Sequence, residues 1–302
     1  MRIGIMLLSG GTPADITQQV VEAEAHGFDS VWLANIRGVD ALTALAVAGA
    51  QTQRIELGTF VVPTYLRHPT SLAQQALTVQ SATGNRLTLG IGLSHRVTME
   101  QQLGFDWDHP IRHMREYLAT LTPLLAQETV QFEGDEYTVR GYQLTLAGAE
   151  PPPVLVAALG PQMLKLTGRM ADGTAIWLGG PRYIAETAAP TIQAAAADAG
   201  RPAPRIVAGL PICVTDNADA VRERVAQVYV RYGELPSYRA ILDREGAAGP
   251  ADISLIGDEA TVRAGLTAMA DAGVTDFAAS LFIPRNEDRE RTLAVLRDIQ
   301  SA

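Results

Sequence analysis

Three stretches of this chain run an apolar segment into a turn that carries polar side chains. The first is Gly58-Thr-Phe-Val-Val-Pro-Thr-Tyr-Leu-Arg-His-Pro69, whose turn bears Tyr65, Arg67 and His68. Pro63 has no amide hydrogen to give a ladder, and Pro69 suits a first helical turn. A strand must therefore stop here and a helix start soon after, which is where α/β proteins place their chemistry. The second is Leu89-Gly-Ile-Gly-Leu-Ser-His95. It is not the dinucleotide fingerprint, because His95 stands where the third glycine belongs. It is either a glycine-loosened turn or a backbone that lets a planar ligand approach Gly92, with Ser94 and His95 offering hydrogen bonds.

The third stretch occurs twice. In Ala157-Ala-Leu-Gly-Pro-Gln-Met163 a strand ends, Gly160 bends the chain and Pro161 opens a helix. The unpaired amides of Gln162 and Met163 then make a seat for an anion. Trp177-Leu-Gly-Gly-Pro-Arg182 repeats the design one unit later and adds a cation. Paired glycine turns before helices, late in a barrel, suit a phosphate group. The plainer alternative is two ordinary connections with Arg182 in solvent.

Other chemistries find less support. His109 and His113 are four apart, but Pro110 puts His109 outside the helix and no third ligand is evident, so no metal site is expected. His26 falls at a helix end, as a dipole partner. There is no Gly-x-Ser-x-Gly elbow and no Walker loop, which leaves an organic cofactor as the source of reactivity. The single cysteine, Cys213, excludes an intrachain disulfide and reads as a buried, inert thiol. A formal net charge of −9 argues against nucleic acid or an anionic membrane as partner. The apolar run Met1–Leu8 is too short for a signal peptide, and no run approaches the roughly 20 residues of a membrane span. A soluble cytoplasmic protein is expected.

The elements that must position these turns alternate. Strands are expected at Ile3–Leu8, Ser30–Ala34, Ile55–Val62, Arg86–Ile91, Val154–Ala158, Ala175–Leu178, Arg205–Val214 and Asp276–Phe282, each followed by a helical segment. The runs are almost continuously apolar, as strands covered on both faces are. Eight such units predict an α/β fold, a (β/α)8 TIM barrel, as one domain over 1–302. Thr12-Pro13 caps the first helix and Gly27 ends it. Insertions are expected at about 93–111, at 130–150 with a hairpin turning at Gly134-Asp135, and at 229–255. The first and last should be lids over the strand C-termini.

These residues together resemble the luciferase-like monooxygenase superfamily, and within it the actinobacterial branch that uses the deazaflavin coenzyme F420. The resemblance covers nearly the whole chain. It rests on Ala25-His-Gly-Phe-Asp-Ser-Val-Trp32, Gly58–Pro69, Arg86–His95, Phe132-Glu-Gly-Asp-Glu-Tyr137, and Ala157-Ala-Leu-Gly-Pro161 with Ala171-Asp-Gly173. It implies a cofactor ring lying across the strand C-termini, backed by a cis peptide that matches Phe60–Val61. It places a phosphate at Gly160, Gly179 and Gly180, with Arg182 beside it. Gly92, Ser94 and His95 would border the ring, and Leu159 and Trp177 complete the expected contacts. Where many relatives carry an acidic or histidine motif after strand two, this chain reads Leu33-Ala-Asn-Ile-Arg-Gly-Val-Asp40, leaving Asn35 or Asp40 as the polar contact there. His95 is the expected proton donor, since its ordinary pKa suits the task. Arg67 and His68 become structural or tail-binding residues.

The implied activity is hydride transfer between cofactor C5 and a small organic substrate, in a homo-oligomer, as a dimer. Two alternatives stand beside it. One is an FMN-dependent two-component monooxygenase with a reductase partner. The other is a non-catalytic protein that binds or stores the cofactor.

Overall fold

A computed structural model describes residues 1–8 and 10–301. Eight strands form its centre: β1 (Arg2–Leu7), β2 (Ser30–Leu33), β3 (Glu56–Thr59), β4 (Leu87–Gly92), β5 (Val154–Val156), β6 (Gly173–Trp177), β7 (Arg205–Val214) and β8 (Asp276–Leu281). Each pairs in parallel with the next, and β8 pairs with β1, so the sheet closes into a (β/α)8 barrel. All eight lie within a few residues of the runs expected from the sequence. The caps match as well. Thr12 and Asp15 form a reciprocal capping box ahead of Pro13–Ala25, and Gly27 follows it with φ +89°.

One strand differs. The expected continuous run Ile55–Val62 is broken at Phe60–Val61, where the peptide bond is cis. Thr59 stands beside the break. Its hydroxyl donates to the Gly90 carbonyl (2.7 Å) and accepts the Gly90 amide (2.8 Å), taking the place of ladder partners. The chain rejoins β4 only at Val62–Pro63, opposite Ile91 and Gly92.

The barrel interior is filled in layers. At the N-terminal end, Arg205 pairs with Asp276 (2.6 Å) and Glu56 (3.0 Å), and Arg2 pairs with Glu56 (2.6 Å) and Asp276 (3.2 Å). Above this plug the Trp32 ring stands 5.9 Å from the Arg205 guanidinium carbon, a cation–π arrangement. The space for that ring comes from Gly4 and Gly58, since a Cβ on either would strike it. Phe60 meets Trp32 edge-on at 6.1 Å, one layer nearer the C-terminal mouth.

One insertion packs on helix Pro110–Leu125. The hairpin Val130–Glu133/Thr138–Tyr142 is antiparallel and turns where expected. Its turn is held by Glu116, a buried carboxylate that accepts the amides of Asp135, Glu136 and Tyr137. Burial opposes that charge, but the three amides hold its pKa below the usual range. After β7 come helices Val230–Glu234 and Pro236–Glu245 and the short turn Pro250–Ile253. Among the described residues no helix is long and apolar enough to cross a membrane.

Candidate active site

The turns singled out in the sequence follow β3, β4, β5 and β6, so the barrel brings them to one rim. Phe60 is buried and Val61 half-buried behind the cis bond. Across from Val61 lies Gly92, and its role is tighter than a loosened turn. A Cβ there would sit 2.6 Å from Val61 Cγ2 and 3.0 Å from the Ala157 methyl. The bare backbone at Gly92 therefore admits Val61, and the ledge Phe60–Val61 is pressed against β4. Ser94 follows in the left-handed region, φ +65°, which swings His95 away from the strand line.

His95 does not stand alone. Its ring meets Tyr232 and Tyr238 edge-on, each at 5.9 Å, and makes no hydrogen bond to another described side chain. Burial without a charged partner lowers its pKa, so the ring is neutral near pH 7. Trp177 ends β6 with its ring against Gly209, and Tyr229 and Tyr232 lie across it at 5.6 and 6.4 Å. The segment expected as a lid thus presents three tyrosines to the mouth. The sequence carried a signal for this, since Tyr229, Tyr232 and Tyr238 stand close together in that insertion.

The two late turns are coupled. Helix Pro161–Met170 begins after exposed Gly160, where a Cβ would meet no atom within 4 Å. Residues 181–198 are helical throughout, with a π turn at Ile184–Ala188. The Tyr183 hydroxyl donates to the Leu159 carbonyl (2.7 Å) and ties one turn to the other. Leu178 has φ +54°, and buried Gly179 and Gly180 carry the chain to Pro181. Glu245, from the lid, enters this turn and its Oε1 accepts the Tyr183 amide at 2.6 Å. Nothing in the sequence reading singled out Glu245. Arg182 is exposed and pairs along its own helix with Glu186 at 3.2 Å, so its side chain runs outward rather than across the turn.

Other candidates serve the scaffold. Asn35 Oδ1 accepts the Ala41 amide (2.9 Å), and Asp40 caps the same helix while pairing with Arg67. His68 caps helix Pro69–Ala82 through Nδ1. His113 is buried on helix Pro110–Leu125, stacked on Tyr65 at 3.9 Å, with Nε2 2.9 Å from Thr64 Oγ1 and Nδ1 3.4 Å from Tyr137 Oη. His109 precedes that helix, and among the described residues no three His, Cys, Asp or Glu are grouped to hold a metal ion. His26, which follows helix Pro13–Ala25, has Nδ1 3.1 Å from an Arg297 guanidinium nitrogen. Cys213 is fully buried, with its thiol pushed up to about 11 by burial.

The site is thus a closed parallel barrel whose C-terminal rim carries the Phe60–Val61 ledge, the lid tyrosines and the glycine turns after β5 and β6. The comparisons agree in kind. Residues 1–280 match the luciferase-like monooxygenase model, and the chain belongs to that family. The 5,10-methylenetetrahydromethanopterin reductase of Methanolobus tindarius is 29% identical over 257 residues, 84% of this chain and 78% of its own. The F420-dependent glucose-6-phosphate dehydrogenase of Nakamurella multipartita is 31% identical over 229 residues, 71% of this chain and 67% of its own. The structure of the coenzyme F420-dependent tetrahydromethanopterin reductase from Methanopyrus kandleri superposes with a TM-score of 0.82, covering 98% of this chain and 97% of that one at 22% identity. At that identity the likeness establishes the fold.

Proposed function

We propose that this luciferase-like oxidoreductase uses coenzyme F420 to move a hydride to or from a small organic substrate. One observation carries the reading. The ledge at cis Phe60–Val61 and the donor turns after β5 and β6 lie on the same rim, ring support on one side and anion seat on the other. A relative named for F420, the glucose-6-phosphate dehydrogenase of Nakamurella multipartita, supports the choice of cofactor.

The donor set fits the group. The turn after β6 already holds an anionic oxygen on the Tyr183 amide, so backbone geometry there suits a phosphate oxygen. Phe60 and Val61 would support the ring. Leu159, Gly160, Gly179 and Gly180 would line its tail, with Arg182 as a peripheral cation. When bound, the deazaflavin supplies a two-electron hydride carrier at C5. The chain's own part is to orient, dry and handle a proton. Tyr229, Tyr232 and Trp177 cover the mouth and exclude water. His95, neutral because it is buried, is poised to accept a hydroxyl proton as the substrate carbon loses its hydride. In the reverse direction the same nitrogen would return that proton.

The test is reconstitution followed by turnover. F420 should bind tightly and FMN weakly, as read from the fluorescence of each. His95→Gln should bind F420 as the parent does yet lose about 100-fold in single-turnover hydride transfer against a panel of alcohols and carbonyls, the range of a lost general base. Tight FMN with weak F420 overturns the cofactor, and a His95→Gln enzyme of parental rate overturns the proton role.

A further inference from the structure

Helix Pro236–Glu245 delivers its last side chain into the turn after β6. The Glu245 carboxylate accepts the Tyr183 amide at 2.6 Å and draws the Arg182 amide as well. It can come this close only because residue 180 is glycine, since a Cβ there would lie 2.6 Å from the Glu245 Cδ. The carboxylate is half-buried among mixed charges. Arg182 attracts it and Glu186 repels it, while its neighbour Arg244 is turned away to Thr187 Oγ1 (2.6 Å). Burial is the larger effect and raises its pKa, so this anion is held at some cost. The same lid carries Tyr232 and Tyr238 onto His95.

Resting on the deazaflavin reading of this mouth, we propose that Glu245 competes with the cofactor's phosphate for the amides of Arg182 and Tyr183. A phosphate oxygen and a carboxylate oxygen cannot share these donors, because like charges a few ångströms apart repel. The phosphate brings more charge and more acceptor oxygens, so it displaces the carboxylate. Helix Pro236–Glu245 then keeps its Arg244–Thr187 bond but loses the Glu245 tie at the turn, which loosens the lid that carries the tyrosines over His95. Glu245 thereby sets cofactor affinity and links cofactor entry to the opening of the substrate side. The ligand class of the seat is a phosphate ester, and the competing group is part of the chain itself.

The experiment compares the full-length parent with Glu245→Ala and Glu245→Gln by site-resolved amide exchange and by F420 titration. In Glu245→Ala the Arg182 and Tyr183 amides should exchange at least about tenfold faster, a 1.4 kcal/mol loss of protection. Inorganic phosphate should restore that protection at concentrations that leave the parent unchanged. F420 should bind Glu245→Ala about tenfold more tightly, while a deazaflavin riboside without phosphate binds both alike. Glu245→Gln, which keeps the shape without the charge, should fall between. Equal amide exchange in parent and Glu245→Ala, or F420 affinity unchanged or weakened by Glu245→Ala, overturns the competition. If phosphate competes as described but F420 binds none of the three proteins, the competition for an anion seat stands and the deazaflavin reading falls.

Discussion

The two ends of this barrel treat charge in opposite ways. At the N-terminal end Arg2, Glu56, Arg205 and Asp276 pair with one another within 2.6 to 3.2 Å. At the C-terminal end the Tyr183 amide is met by Glu245, which arrives from helix Pro236–Glu245, and burial lowers the pKa of His95. A network closed on itself gives stability without chemistry. The turn after β6 is instead met by a side chain from a separate helix, at the face where barrels keep function apart from stability. Trp32 and Phe60 join the two ends, since one ring rests over Arg205 and the other underlies the ledge.

Breaking the plug should have the largest effect. Asp276 is almost wholly buried and is shared by two arginines, so Asp276→Ala leaves two guanidiniums on Glu56 alone. A loss of about 3–5 kcal/mol is expected by urea denaturation, with F420 affinity of the folded fraction unchanged. A comparable loss of affinity would show that the two ends are not separate.

The next effect is one of pH. Burial lowers His113 to about 4 against an opposing pull from Glu116, while the unfolded chain titrates near 6.5. The folded-state value is the lower one, so this stabilisation is complete above pH 6.5 and is lost as pH falls toward 4. The full loss is about 3 kcal/mol by linkage. His113→Gln should flatten the stability–pH curve across that window, and an unchanged slope would exonerate His113.

The smallest effects separate two glycines on the rim. Gly92→Ala drives a methyl into Val61 and Ala157 and should cost about 1–3 kcal/mol, measured by thermal unfolding, while weakening F420 by disturbing the ledge. Gly160→Ala meets open space and should stay within about 0.5 kcal/mol of the parent in stability. It should weaken F420 all the same if the tail passes over that turn. Equal behaviour of the two variants in both assays would erase the distinction between a packing glycine and a ligand-facing one.

Much of this was legible in the chain. Continuous apolar runs marked all eight strands, and Thr12, Pro13 and Gly27 marked a helix from end to end, because these are local signals of burial and backbone freedom. The family resemblance located the cis bond at Phe60–Val61. Other points were hidden. Beside the break in β3, the Thr59 hydroxyl bonds Gly90, thirty-one residues away. The bond from the Ala41 amide to Asn35 Oδ1 and the packing of Val61 and Ala157 at the Cβ position of Gly92 likewise depend on partners that the local sequence does not mark.

The sequence by itself determined the barrel, the rim on which the chemistry must lie, and the glycine and proline turns able to expose amides there. Periodicity, caps and turns are written in neighbouring residues, and the chain needs no distant partner to specify them. Only the tertiary structure decided which charges cancel and which remain available. Arg205 finds Asp276 across seventy-one residues and Glu245 finds Tyr183 across sixty-two, each by closure of the barrel and its lid. Coulomb and hydrogen-bond energies act through space over a few ångströms, so the partner of a charged side chain is a property of the folded molecule.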